Sequence, residues 1–139
     1  MTNLITEQVL DQVETLCRVL RTNYQSYAIK SHVIAIAKNG IVDENYVDWH
    51  KEQIDKLTMG EDLDEFEYVK GRKYAKVMHI TRGGSRSVHL FVDLNNGDCY
   101  KPASWKAPAK HVRYNLLDEQ SRTEMFRRAD WAGSYLYLR

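Results

Sequence analysis

The residues best suited to chemistry lie between Tyr100 and Arg113. Lys101, Lys106, Lys110, His111 and Arg113 are interleaved there with Tyr100 and Trp105, and no carboxylate intervenes. Cations neutralise phosphates while aromatic rings stack on bases, so this pattern suits a nucleotide or a single strand of nucleic acid. Upstream, Arg82-Gly83-Gly84-Ser85-Arg86-Ser87 adds two glycines that let backbone N–H groups approach an anion, with Arg82 and Arg86 beside them. This is not a Walker loop, and a glycine hairpin turn is its simpler account. If the two loops meet they form a phosphate-binding concavity; the competing reading gives Trp105 to the core.

Acid–base and nucleophilic groups are sparser. The histidines His32, His50, His79, His89 and His111 show no metal-ligand spacing. His32 and His50 fall in helical patterns and read as structural. His79 and His89 lie on neighbouring candidate strands and could share a face with Asp93, a trio able to carry a proton near neutral pH. A histidine on a half-exposed sheet face is more often only that. Cys99 follows a turn and reads as exposed, but without a placed base; Cys17 reads as core. Ser85, Ser87 and Ser104 have basic neighbours and no nucleophile elbow. Asp62, Asp64, Glu65 and Glu67 do not follow an EF-hand spacing and read as a solvated acidic run. No cofactor and no metal are expected.

The elements that must position these residues divide the chain in two. Val9, Leu10, Val13, Leu16, Cys17 and Leu20 recur at helical spacing, with Thr6 as the expected N-cap. A second helix is expected from Ser26 to Lys38, with Ile29, Val33, Ile36 and Ala37 as its stripe and Asn39-Gly40 as its stop. A third starts at Asp43 and ends at Met59-Gly60. From Phe66 the period shortens to two: Phe66–Val69, Lys73–Thr81 and Ser87–Asp93 read as strands. Asn95-Asn96-Gly97-Asp98 reads as a type I′ turn, and a four-stranded antiparallel meander ends near Tyr100. Pro102 and Pro108 break regular structure. A last helix begins at Asp118, Gly133 stops it, and Ser134 to Leu138 returns as an edge strand.

Composition sets the outer bounds. The chain has 139 residues, 43% of them hydrophobic and 28% charged, enough for one core. No apolar run approaches the ~20 residues of a membrane span, and two cysteines make no disulfide framework. The net charge of +1 hides an imbalance: residues 1–69 hold 6 Lys/Arg against 13 Asp/Glu, and residues 70–139 hold 14 against 6. Halves of opposite sign point either to a polyanionic partner for the basic half or to attraction between the halves, within one chain or between copies.

A further pattern is carried by Gly71-Arg72-Lys73-Tyr74, by Gly84-Ser85-Arg86-Ser87-Val88-His89 with Phe91-Val92-Asp93, and by Gly97-Asp98-Cys99-Tyr100-Lys101-Pro102-Ala103-Ser104-Trp105-Lys106-Ala107-Pro108-Ala109-Lys110. Together with Arg113-Tyr114-Asn115-Leu116, Ala129-Asp130-Trp131-Ala132-Gly133 and Tyr135-Leu136-Tyr137, this pattern resembles a group of small, uncharacterised proteins encoded by tailed bacteriophages. The resemblance runs from Gly71 to the end. It implies a viral origin, a small accessory protein and a host-cytoplasm setting, but no activity. Residues 1–60 share none of it and read as a helical addition.

The fold expected is α+β: an acidic helical region over 1–60 packed on a basic antiparallel core over 61–139, with a C-terminal helix and a short edge strand. The function expected is non-catalytic binding of a phosphate-bearing ligand, nucleic acid or a soluble nucleotide, a nucleotide signal of host defence among the candidates. Arg82, Arg86, Lys101, Lys106, Lys110 and Arg113 would contact phosphates, and Trp105 or Tyr100 would stack. Replacing Lys106, Lys110 and Arg113 together is expected to abolish binding without changing the melting temperature. The alternatives are a protein-binding factor acting on a host protein or a second copy through Trp131, Tyr135 and Tyr137; a nucleic-acid enzyme using His79, His89 and Asp93; and a minor virion component.

Overall fold

The computed structural model describes residues 3–38 and 43–137. The first two expected helices are one: α1 runs for 35 residues, Leu4–Lys38, because no Gly or Pro interrupts the stretch between Leu20 and Ser26. Its cap is Asn3, whose Oδ1 accepts from Thr6 N at 2.8 Å. Thr6 is therefore inside the helix, and its hydroxyl donates instead to Leu94 O at 3.3 Å. The expected stop at Asn39-Gly40 lies outside the described residues. Helix α2 (Glu44–Thr58) starts where expected, with the Asp43 carboxylate accepting from Asn45 N at 3.0 Å.

The strands are β1 (Glu65–Lys70), β2 (Tyr74–Ile80), β3 (Arg86–Asp93), β4 (Asp98–Tyr100) and β5 (Tyr114–Asn115). They form an antiparallel sheet in sequence order, with a fifth strand beyond the expected four. Between β3 and β4 only Gly97 takes a positive φ (+81°), so the turn is not type I′. Its N–H donates to Asp93 O at 2.8 Å, and Asp93 and Asn96 side chains hold the N–H groups of Asn95 and Asp98. Helix α3 (Glu119–Arg128) is capped by Asp118, which accepts from Ser121 N at 3.3 Å. The expected edge strand is absent among the described residues: Ser134–Leu136 is a 3₁₀ turn entered through Gly133 at φ +84°.

The core is built across the two halves. The early stripe of α1, Val9, Val13, Leu16, Cys17 and Leu20, packs on Ala75, Val77, Leu90, Val92 and Cys99 of one sheet face, with Met125 and Leu136 closing the side. Each such large aliphatic contributes about 1.5–3 kcal/mol through burial. Beyond Leu20 the helix leaves the sheet and pairs with α2, where Gln25 Nε2 donates to Leu57 O at 2.7 Å and the Nδ1 atoms of His32 and His50 meet at 2.7 Å. The later apolar stripe is therefore not core: Val33 and Ile34 are exposed.

Candidate functional site

The strand register sorts the site residues onto two faces. Ala75 pairs with Val92 and Val77 with Leu90 on the α1 side, so Tyr74, Lys76, Phe91 and Tyr100 point to the outer side. On that outer side Tyr74 meets Phe91 and Tyr100 edge-on, at centroid distances of 5.7 and 6.3 Å. The segment after β4 doubles back through a Pro102–Pro108 bridge, with Ala109 N donating to Lys101 O at 2.7 Å. This fold brings Trp105 over the sheet. The Lys76 ammonium sits 5.2 Å from the Trp105 ring centre and 5.7 Å from that of Phe91.

Beside this stack is a cleft of about 270 Å3 lined by Arg72, Lys73, Lys76, Lys106, Tyr74 and Phe91, with no carboxylate among its described lining residues. None of the four cations makes an ion pair among the described residues. Trp105 is half exposed, not plugged into the core. Two of the expected site residues, Trp105 and Lys106, thus stand at one cleft, with Tyr100 beside it. Sequence reasoning missed Arg72, Lys73, Tyr74 and Lys76. The strand period of two was the available signal: it sets Tyr74 and Lys76, on either side of Ala75, on one face.

The other expected ligands are dispersed. Lys101 faces the opposite side, its ammonium 4.8 Å from the Tyr137 ring centre. Arg82 and Arg86 are exposed on the β2–β3 hairpin, which is closed by Thr81 N to Ser85 O at 2.9 Å. Near the bases of that hairpin and of the Trp105 loop, Ser87 and Val88 share a pocket with Lys101 and Pro102. Lys110 is exposed. Arg113 is a strut: its Nε donates to Leu136 O at 2.6 Å, and its Nη1 to Lys110 O at 2.8 Å and His111 O at 2.6 Å.

On the α1 side, β3 carries one extra residue where the register shifts: Val77 pairs with Leu90 but Met78 with Val88. The odd residue is His89, and the bulge turns it to the same side as His79. Both line a pocket of about 320 Å3 with Ser87, Lys101, Trp131 and Tyr137. Asp93 does not join them. It lies about 13 Å further along β3, in register with Tyr74, and caps the following turn. The carboxylate that reaches His79 is Asp64, buried rather than solvated: His79 Nε2 and Asp64 Oδ2 are 2.7 Å apart. Asp64 Oδ1 also accepts from Arg82 N at 3.3 Å. Burial and then the Asp64 charge hold the nearby Tyr24 hydroxyl above its ordinary pKa.

Burial, with His79 adding to it, pushes His89 down to about 4, so this ring is neutral; its Nε2 shares a 2.8 Å hydrogen bond with the Tyr135 hydroxyl. Cys99 is wholly buried, contrary to its exposed reading, and burial raises its thiol far above the ordinary range. Burial likewise pushes Cys17 up to about 12. Tyr135 is buried and Trp131 packs against Tyr24 and Tyr27, so of the expected apolar patch only Tyr137 is exposed. Among the described residues no three His, Cys, Asp or Glu side chains are grouped to hold a metal, and no helix is long and apolar enough to cross a membrane.

A family model described as "Family of unknown function (DUF7717)" matches residues 1–138. The match takes in the N-terminal helices, which are part of the family pattern rather than an addition to it. No curated protein and no solved structure matches.

Proposed function

The chain belongs to the family of unknown function DUF7717, and we propose that its outer cleft is a non-catalytic binding site for a phosphate-bearing ligand with an aromatic base. The single observation behind this reading is the outer cleft, where Arg72, Lys73, Lys76 and Lys106 gather beside Tyr74 and Phe91, with Trp105 at the Lys76 end. Four cations without ion-pair partners among the described residues repel one another, and a polyanion relieves that repulsion. Among the described residues no Lys or Arg side chain pairs with a carboxylate across the acidic and basic halves; the carboxylate–imidazole contact that joins them is the Asp64–His79 hydrogen bond. The basic charge of the cleft is thus left for a ligand. Trp105, half exposed and adjacent, offers a face on which a base can stack.

A soluble nucleotide and a single strand share this chemistry. The resemblance to tailed-phage proteins supports the host cytoplasm as the setting and either ligand as the target. Native mass spectrometry of the protein purified from an expressing cell, before and after nuclease treatment, separates them. A nucleotide mass that survives nuclease and leaves on denaturation supports a soluble ligand; a nuclease-sensitive heterogeneous mass supports a strand. Clean protein mass, with no binding on adding either class, overturns the reading.

A second reading rests on one observation. Val33, Ile34, Tyr46 and Trp49 are exposed apolar side chains on α1 and α2, away from the cleft, and a protein partner or second copy would bury them. A host-lysate pull-down lost on Trp49→Glu, with the cleft intact, supports it.

A further inference from the structure

The pocket on the α1 side is untouched by the outer-cleft reading. We propose that it is a carboxylic-ester hydrolysing site in which Ser87 is the nucleophile, His79 the general base and Asp64 the residue that positions His79. The argument begins with the register. Ser87 stands directly opposite His79 across the β2–β3 ladder, and both line the same pocket of about 320 Å3. Facing residues of an antiparallel pair hold their Cβ atoms about 4.5–5.5 Å apart, which makes the Ser87 hydroxyl and the His79 ring direct neighbours across the ladder.

Asp64 fixes the imidazole. With the Asp64 carboxylate accepting a hydrogen bond from His79 Nε2–H at 2.7 Å, the ring's other nitrogen, Nδ1, is the one left as acceptor. Phe66 stacks flat on the ring, at 4.7 Å and 5°. Side-chain exposures of 15% for His79 and 10% for Asp64 place this pair largely out of water, where a held imidazole is a better base than a tumbling one. Lys101 is the one Lys or Arg among the pocket's lining residues. A single cation suits the single charge of a carbonyl oxyanion better than the spread charge of a phosphoryl group. Trp131, Leu136 and Tyr137 line the remainder with apolar surface for an acyl chain.

In the first step Ser87 Oγ gives its proton to His79 Nδ1 and bonds to the ester carbonyl carbon. The carbon–oxygen bond to the alcohol then breaks, and the alcohol oxygen takes that proton from His79. In the second, water gives a proton to His79 and its oxygen bonds to the same carbon. Ser87 Oγ leaves with the proton, and a carboxylic acid is released.

The experiment uses the full chain with a fluorophosphonate probe and p-nitrophenyl acetate, read by intact mass, peptide mapping and turnover. One probe per chain, mapped to Ser87, is expected. Ser87→Ala abolishes labelling and Ser85→Ala does not. His79→Gln slows labelling about 100-fold or more. Asp64→Asn slows it as well, and Asp64→Glu restores part of the rate, which a merely structural role would not do. Ser87 is exposed, so Ser87→Ala keeps the wild-type melting temperature. Absence of labelling in the folded wild-type chain, or labelling that persists in Ser87→Ala, overturns the proposal. Charge reversal in the outer cleft leaves labelling unchanged, so the two sites fail separately.

Discussion

The ammonium of Lys76 lies 5.2 Å from the ring centre of Trp105, although the two residues belong to different segments of the chain. A cation held over an indole lowers the cost of gathering charge, and it presents the indole's other surface to solvent. This pairing joins the strand β2 to the loop after β4, and it makes one cleft out of residues far apart in the sequence.

Trp105→Ala is expected to weaken binding of a single-stranded oligonucleotide by about 1–3 kcal/mol, the range for loss of one base–aromatic stack. Because Trp105 is 51% exposed, the melting temperature should hardly move. Fluorescence anisotropy beside thermal denaturation measures both; a folded variant with unchanged affinity would count against the stack.

Salt should weaken binding steeply. Each phosphate neutralised on a single strand contributes about −0.7 to the slope of log K against log salt. With four cations lining the cleft, a slope of about −3 is expected, and Lys106→Ala should make it shallower by about 0.7. A titration series at several salt concentrations reads this directly.

Arg113→Ala is expected to destabilise the fold by on the order of 2 kcal/mol, since it leaves three carbonyls without their charged donor. Lys110→Ala, at an exposed position, should stay within about 0.5 kcal/mol. A triple change at Lys106, Lys110 and Arg113 therefore confounds binding with folding, and urea denaturation of the single variants separates the two.

Stability should fall on acidification through the window set by His89. Its folded pKa of about 4 lies below the ordinary 6.5, so between these values the unfolded chain binds the extra proton. Stability is then full above about 6.5 and declines as pH falls toward 4, by on the order of 3 kcal/mol at most. His32, also lowered by burial and by His50, acts in the same direction. His89→Gln should flatten the larger part of the slope in denaturant titrations between pH 7 and 4.

Much of the fold was legible. The stripe from Val9 to Leu20, the Asp43 and Asp118 caps and the period-two strands each rest on local rules, and local rules operate here. The long α1 was harder, because the polar stretch from Arg21 to Gln25 interrupts the stripe without containing a residue that breaks a helix. At the sites, legibility ended where tertiary geometry began. Asp64 looked like one more solvated carboxylate until His79 came to it across β1 and β2. The bulge that turns His89 leaves no composition signal, and the carbonyls that occupy Arg113 come from both its own loop and the 3₁₀ turn. Trp105 and Lys106 could be chosen from their neighbours, but their meeting with Lys76 on β2 depends on how the Pro102–Pro108 loop closes.

The most direct test of the binding account is an anisotropy titration of a labelled short single strand, and of a labelled mononucleotide, against the wild-type chain and a Lys73→Glu/Lys106→Glu variant. Saturable binding to at least one probe, lost at least 100-fold in a variant that melts like wild type, is the result expected. Equal affinity in the folded variant, or no saturable binding by the wild-type chain to either probe, would contradict the account.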